Sequence, residues 1–149
     1  MKIENGKWRM TMRMKYLALD IGRKHTGVAY VDATLGVPVP LPTIHHKDEE
    51  ELLAAVAIRV SERSIDTLVL GLPLLPSGIE AAQAKYVRHV GKALQARCPK
   101  CAVRYLDERR TNRIAGGDQM IDDHAQAALT LLTVALERSC IRPWDNPPE

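Results

Sequence analysis

Aromatic side chains are scarce in this chain of 149 residues, which contains four Tyr, two Trp and no Phe. Proteins that bind single-stranded nucleic acid by stacking on its bases depend on such side chains. We therefore do not expect base stacking to dominate any nucleic-acid recognition by this protein. Recognition through backbone charge and helix shape needs fewer aromatics and stays compatible with this composition.

Cysteine is also rare, with Cys98, Cys101 and Cys140 the only three. An odd number of cysteines without a secretion signal favours a reducing compartment over a disulfide framework. The CxxC pair at 98–101 lacks the second pair that a zinc ribbon needs. A redox CxxC usually opens a helix, whereas this pair lies between a predicted helix and a predicted strand. The pattern predicts two loop thiols.

Long hydrophobic runs are absent, so no membrane span is predicted. The first 14 residues are polar and basic and lack the apolar segment of a secretory signal, which predicts a cytoplasmic protein. Met10, Met12 and Met14 are alternative starts. We expect a basic arm over residues 1–14 that could be disordered, one folded domain over 15–139 and a Pro-rich tail over 140–149. The net charge of +3 permits an anionic partner without requiring one.

The stretch from Leu17 to Val31 organises the rest of the chain. It comprises a short buried strand ending in Asp20, a basic turn bounded by Gly22 and Gly27, and a second strand. A lone ionised carboxylate is costly to bury, so Asp20 needs a metal, a cationic residue or a hydrogen-bonding turn as its partner. Glu108 and Asp122 are the acids expected to share a cation with it.

The remaining pattern alternates helices and strands. Residues 37–44 carry three prolines and can form only an edge strand or an extended loop. An acidic run at 48–51 begins a helix that continues to about Arg63. The predicted elements that follow are a strand at 67–71, a helix that ends before Pro99, a strand at 102–106 and a helix at 122–138.

The fold class is therefore α/β, a mixed five-stranded sheet in the order β-β-β-α-β-α-β-α with helices on both faces. Strands separated by helices pair in parallel through right-handed crossovers. Chemistry in such sheets gathers beyond the carboxyl ends of the strands. Asp20, the loop from Gly71 to Gly78 and Glu108 all lie at such ends.

The last helix allows a choice between its two leading acids. An apolar stripe is predicted at Ala125, Ala128, Leu129, Leu132 and Leu136. On a helical wheel, Asp122 lies roughly 60° from the centre of that stripe. Asp123 lies on the far side, where it would serve the helix N-terminus and face solvent. We therefore choose Asp122 as the site residue and keep Asp123 as the fallback.

Three converging carboxylates at Asp20, Glu108 and Asp122 would suit Mg²⁺ or Mn²⁺. Two such ions can activate water and stabilise the leaving oxygen in phosphodiester cleavage. The residues placed to bind substrate phosphates are Lys24, Arg109, Arg110, Thr111, Gly71 and Gly78. The alternative is that each acid is an ordinary strand-end or helix-cap carboxylate, and for any one acid alone this alternative is the better interpretation.

Four motifs in this order resemble the YqgF/RuvX family, RNase H-like nucleases related to the RuvC Holliday-junction resolvases. They are Asp20-x-Gly22-x-Lys24-x-x-Gly27, Gly71-x-Pro73 followed by Gly78, Asp107-Glu108-Arg109-x-Thr111, and Ile121-Asp122 opening an Ala-rich helix. The resemblance implies an RNase H-like fold and a divalent-metal nuclease whose acids are Asp20, Glu108 and Asp122. It also implies 5′-end maturation of the 16S rRNA precursor, Holliday-junction resolution, or both.

The chain departs from the family at three places. His25 stands where the family usually has Arg, Arg110 replaces a usually apolar residue, and the segment from Asn112 to Ile121 is shorter than in the family. Two rival hypotheses stay open: a non-catalytic nucleic-acid-binding module, and an ATP-binding domain of the actin and sugar-kinase type. A junction resolvase would require a homodimer, whereas a trimming nuclease could act as a monomer.

Overall fold

The structure is a computed structural model, and it describes residues 3–4, 7–8, 14–73, 75, 77, 79–108 and 122–141. The main sheet has five strands: β3 (Lys15–Ile21), β4 (His25–Asp32), β5 (Val39–His45), β6 (Thr67–Pro73) and β7 (Ala102–Glu108). Three helices accompany it: α1 (Glu49–Arg63), α2 (Ala82–Arg97) and α3 (Asp123–Ile141). The element order predicted from the sequence is confirmed.

The strands of this sheet lie in the spatial order β5-β4-β3-β6-β7. β3 and β4 form an antiparallel hairpin, and β5 pairs antiparallel with β4. β6 pairs in parallel with β3, and β7 in parallel with β6, as expected for strands joined through helices. The carboxyl ends of β3, β6 and β7 therefore meet at one edge of the sheet. The amino end of β4 and the carboxyl end of β5 lie at the same edge.

β5 is an edge strand, as its prolines predict. Pro40 and Pro42 lie inside this strand, which has β4 as its neighbour on one side. A proline cannot donate a ladder hydrogen bond, so it is tolerated where a strand has a neighbour on one side only.

Helices cover both faces of the sheet, which confirms the predicted layering. Leu17, Leu19 and Ile21 of β3 pack in a core with residues of α1 and α2. The alternate β3 residues Tyr16 and Ala18 pack in a second core with α3. This division follows from the period of two along a strand.

α1 begins where its acidic run predicts. Asp48 is the N-cap residue, and its side chain accepts a hydrogen bond from the backbone N–H of Glu51. The Glu51 carboxylate accepts one in return from the backbone N–H of Lys47, at 2.7 Å. The acidic run therefore serves the helix N-terminus.

α3 buries a face that differs in part from the predicted stripe. Its buried residues are Ala125, Ala128, Leu131, Leu132 and Ala135, while Leu129 and Leu136 are only partly buried. The helix is apolar on most of its circumference, so periodicity alone does not define which residues face the sheet. The register is set by close packing of small alanines against β3 and β4.

Two regions outside the predicted domain also carry regular structure. A short antiparallel pair, β1 (Ile3–Glu4) with β2 (Lys7–Trp8), lies in the N-terminal arm, for which the sequence predicts no strand. α3 continues to Ile141, three residues beyond the predicted helix end. Within the described residues, no helix is long and apolar enough to cross a membrane.

The thiols of Cys98 and Cys101 are buried in the loop between α2 and β7. The Cys101 thiol donates to the backbone carbonyl of Ile65, and burial raises its pKa to about 11. Burial also raises the pKa of the Cys98 thiol. Both positions are therefore structural, in keeping with the prediction of two loop thiols.

In a Cys140→Ser background, we expect neither thiol to react with a disulfide reagent at neutral pH until denaturant unfolds the chain. Thiolate is the reacting species, and a raised pKa removes it. Absorbance of the released reagent measures the reaction. Rapid modification of the folded protein would contradict this assignment.

Candidate active site

Asp20 lies near the carboxyl end of β3 and is half-buried. It follows Tyr16 and Ala18 at the strand period, which puts it on the α3 face of the sheet. Its backbone lies directly opposite Gly27 of β4. The predicted position of Asp20, at the end of a buried strand, is confirmed.

The first turn of α3 packs directly on Gly27. A Cβ at this position would overlap the backbone carbonyl of His124 and would lie 3.2 Å from the backbone nitrogen of Ala125. Directly opposed residues of an antiparallel pair have their Cβ positions about 5 Å apart. The start of α3 is therefore next to Asp20, and Gly27 is the residue whose lack of a side chain permits this approach.

Asp122 caps α3 and bonds to the edge strand. Its Oδ1 accepts a hydrogen bond of 2.7 Å from the backbone N–H of Ala125. The Thr43 hydroxyl lies 2.9 and 2.8 Å from the two carboxylate oxygens. The Ala125 N–H first, and then the Thr43 hydroxyl, lower the pKa of Asp122 below its ordinary value. Asp122 is thus held ionised on the sheet side of the helix start.

Both leading acids serve the start of this helix. Asp122 lies one residue before the helix and caps it, and Asp123 lies in the first turn, where its charge favours the helix N-terminus as expected. Both acids are exposed. The capping residue lies just outside the helix, where its side chain can reach the free N–H groups of the first turn.

Glu108 ends β7, two strands away from Asp20. Its backbone is paired with Pro73 of β6. Leu19 is paired with Leu70, so Asp20 is level with Gly71, and Glu108 lies two residues further toward the carboxyl edge. Gly71, which lies on β6 between the two acidic positions, is buried.

The described residues include only part of the predicted site. Among residues with described side chains, no group of three His, Cys, Asp or Glu has the geometry of a metal site. The Glu108 side chain is not among them, and Gly78, Arg109, Arg110, Thr111 and the segment 112–121 lie outside the described residues. Convergence of Asp20, Glu108 and Asp122 on a cation therefore stays a prediction.

The turn between β3 and β4 is anchored to α2. The guanidinium of Arg23 stacks 4.2 Å from the centre of the Tyr86 ring. The Gln83 side chain donates to the backbone carbonyl of Ile21 at 2.9 Å. Lys24, one of the predicted phosphate-binding residues, follows in this turn and is exposed.

A histidine cluster at the same edge was missed by sequence reasoning, which singled out only His25. The Nδ1 atoms of His25 and His45 are 2.8 Å apart, and the His25 ring lies 5.1 Å from that of His124. His46 is buried, and its Nε2 lies 2.9 Å from the Thr26 hydroxyl. The sequence did contain a signal for this cluster, namely the adjacent histidines His45 and His46 at the end of a proline-rich edge strand.

His46 is expected to make stability depend on pH. Burial lowers its pKa below the ordinary value of 6.5, an effect that the nearby Asp48 backbone opposes. The folded state then favours the neutral ring, so stability is complete above pH 6.5 and falls as the pH drops through the lowered pKa. Urea unfolding across this range should show a smaller pH dependence in His46→Gln than in the wild type. An unaltered pH dependence in His46→Gln would contradict this.

Comparison with known proteins identifies the same family as the sequence motifs. The sequence profile of RuvX, described as Holliday junction resolvase, matches residues 14–134. A candidate pre-16S rRNA nuclease of Anaeromyxobacter sp. (strain Fw109-5) is 40% identical over 96 residues, 64% of this chain and 69% of the relative. A protein of the same description from Chromobacterium violaceum is 36% identical over 107 residues, 72% of this chain and 76% of the relative.

Among solved structures, T. thermophilus RuvC in complex with a Holliday junction substrate superposes with a TM-score of 0.59. The match covers 88% of this chain and 99% of RuvC at 13% identity, so it shows the fold alone. The predicted RNase H-like fold is thereby confirmed. Since the family profile spans most of the described domain, the chain belongs to the RuvX family of nucleases.

Proposed function

We propose that this protein is a divalent-metal-dependent endonuclease that hydrolyses phosphodiester bonds in structured nucleic acid. Asp20, Glu108 and Asp122 are its metal-binding acids, with Asp123 as the fallback for Asp122. The observation that carries this proposal is the packing of the first turn of α3 on Gly27, directly across from Asp20. This contact supports the pairing of an acid at the start of α3 with the acid of β3.

Strand register supports the third acid. Position 108 follows Leu106 by two residues, and Leu106 belongs to the core on the α3 side. By the period of a strand, position 108 shares that face with Asp20. Gly71 of β6 lies between them in the sheet.

The donor chemistry fits Mg²⁺ or Mn²⁺. All three acids offer hard carboxylate oxygens, and Asp122 is held ionised by the Ala125 N–H and the Thr43 hydroxyl. When bound, the ions would activate water and stabilise the leaving oxygen. The chain itself contributes the rigid sheet edge that positions Asp20 and the helix cap that orients Asp122.

Positive groups beside the acids would bind the phosphates on either side of the cleaved bond. Lys24 is exposed in the turn that follows Asp20. Arg109, Arg110 and Thr111 directly follow Glu108 in sequence, and the bare backbone at Gly71 and Gly78 would admit a phosphate closely. The chain's low aromatic content favours such backbone contacts over base stacking.

For the substrate, we propose structured precursor rRNA, cut during 5′-end maturation of 16S rRNA, with a branched DNA junction as the second candidate. Relatives at 36–40% identity are described as candidate pre-16S rRNA nucleases, and the family profile is described as Holliday junction resolvase. Cleavage of either substrate would take place in the cytoplasm. The junction activity would in addition require a homodimer, because two strands are cut symmetrically.

Cleavage by the purified chain tests this function. A structured precursor-rRNA fragment and a DNA four-way junction are each incubated with Mn²⁺, with Mg²⁺ and with chelator. Metal-dependent cutting of one substrate is expected, and it identifies the substrate class. Tight binding of either substrate without cleavage would favour the hypothesis of a non-catalytic nucleic-acid-binding module. Binding of a nucleotide, with neither binding nor cleavage of the two substrates, would favour the ATP-binding domain.

A further inference from the structure

A β-bulge interrupts the edge strand β5 near the carboxyl edge of the sheet. Residues 26–28 of β4 lie opposite residues 41–44 of β5, because the register shifts between these two segments. Gly27 therefore faces two residues, Pro42 and Thr43, where a regular ladder would place one. Bulges of this kind bend a strand and redirect its side chains, and they are frequent beside active sites.

The burial pattern of β5 agrees with the bulge. Leu41 and Ile44 both pack in the core on the α1 and α2 side of the sheet. In a regular strand these two residues, three positions apart, would face opposite sides. The additional residue between them lets both face the same core. Thr43 points instead toward the start of α3, where its hydroxyl bonds to Asp122.

Two elements hold the carboxylate of Asp122 from different directions. The Thr43 hydroxyl lies 2.9 Å from Oδ1 and 2.8 Å from Oδ2, and the Ala125 N–H donates to Oδ1 at 2.7 Å. A bond from α3 alone would leave the carboxylate free to rotate about it, whereas the second bond from β5 fixes its orientation. An ionised carboxylate offers about four lone-pair positions, so one hydroxyl and one N–H leave room for a cation.

Helix α1 holds the backbone of the bulge. The Arg59 side chain donates from Nη2 to the backbone carbonyl of Pro42 at 2.9 Å. Pro42 has no N–H to contribute to the ladder with β4, so this bond compensates in part for the interrupted pairing. Thr43 follows the carbonyl that Arg59 binds. Arg59 therefore fixes the backbone that carries the Thr43 hydroxyl.

We propose that Thr43 is a positioning residue of the candidate active site. The bulge directs its hydroxyl to Asp122, and this bond holds the carboxylate in the orientation that binds a divalent cation. Arg59 supports Thr43 by fixing Pro42. The inference rests on the proposed function and adds to it residues of β5 and α1, which belong to none of the four sequence motifs. Hydrogen-bond partners of metal ligands orient those ligands and thereby raise the affinity for the metal.

The first test measures the Mn²⁺ affinity of the full chain without substrate, from the electron paramagnetic resonance signal of free Mn²⁺. Thr43→Val keeps the branched shape of the side chain and removes the hydroxyl, so we expect it to bind Mn²⁺ at least about tenfold more weakly. Thr43→Ser keeps the hydroxyl donor and should bind within about threefold of wild type. Equal Mn²⁺ affinity in wild type and folded Thr43→Val would overturn the proposal.

Thr133→Val is the matched control for Thr43→Val. Thr133 is exposed on α3, and its hydroxyl donates to the backbone carbonyl of Leu129 in the same helix. It lies about 16 Å along the helix from Asp122. Loss of this hydroxyl should leave the Mn²⁺ affinity of the wild type. An equal loss of affinity in both valine variants would show a general effect of hydroxyl removal and would overturn the proposal.

Arg59→Met tests the support from α1. Methionine keeps the apolar stem of the side chain and removes the donor to Pro42, so we expect a loss of Mn²⁺ affinity of about threefold. Because Arg59 acts through Thr43, the double variant should bind Mn²⁺ no more weakly than Thr43→Val alone. Losses that multiply in the double variant would overturn the role given to Arg59.

The positioning role and the proposed nuclease function can fail separately. If Thr43→Val weakens Mn²⁺ binding and Thr43→Ser does not, but the wild type cleaves neither substrate, the positioning role is upheld and the nuclease function is rejected. If the wild type cleaves and Thr43→Val cleaves with the same dependence on Mn²⁺ concentration, the nuclease function is upheld and the positioning role is rejected.

Discussion

Asp20→Asn and Glu108→Gln are each expected to lower metal-dependent cleavage by at least about 100-fold. Substitution of residues that only support metal ligands already costs 10–100-fold in affinity or activity, so loss of a ligand should cost at least as much. An amide keeps the shape of the side chain but removes the negative charge that attracts the ion. Cleavage rates are measured under single-turnover conditions with Mn²⁺.

Asp107→Asn is the matched control for these variants. Asp107 neighbours Glu108 on β7, is exposed and follows Tyr105, which packs on the α1 and α2 side of the sheet. The control should cleave within about twofold of wild type, because its charge lies on the opposite face. Both acidic variants should keep the thermal midpoint and the metal-free substrate binding of the wild type. Cleavage that survives both Asp20→Asn and Glu108→Gln would reject the assignment of these acids.

Gly27→Ala is expected to cost at least about 2 kcal/mol of unfolding free energy and to reduce cleavage severely. The added Cβ would overlap the backbone carbonyl of His124, so α3 or β4 has to move. A side chain could rotate away, but a helix backbone cannot. Since α3 carries Asp122 and the opposite residue of Gly27 is Asp20, any movement separates the two acids. Urea unfolding and cleavage well below the thermal midpoint measure the two effects.

Gly91→Ala is the control that distinguishes a loss of stability from damage to the proposed active site. Its Cβ would meet the hydroxyl end of the Tyr105 side chain between α2 and β7. This crowding also lowers stability, but it is remote from α3, so the folded variant should cleave normally. Hydrogen exchange at the Ala125 amide, which donates to Asp122, should accelerate in Gly27→Ala and stay unchanged in Gly91→Ala. Normal cleavage by Gly27→Ala would contradict the placement of α3 beside Asp20.

Much of the fold could be predicted from local sequence patterns. The prolines at 40 and 42 placed β5 at the edge, the acidic run from Asp48 marked the start of α1, and helices between the later strands predicted parallel pairing. Each of these features depends on neighbouring residues, so it is visible in the sequence. The face of α3 was predicted only in part, because a helix that is apolar on most sides has no unique stripe.

The sequence by itself determined the order of elements, the family and the acids placed at strand ends. Only the tertiary structure decided which residues meet across the carboxyl edge: Thr43 with Asp122, 79 residues apart, and Thr26 with His46, 20 residues apart. The tertiary structure also explains why a glycine is needed at position 27. A side chain there would overlap the backbone carbonyl of a residue almost a hundred positions later in the chain. Periodicity and propensity act over a few residues, whereas these contacts depend on strand register and helix docking.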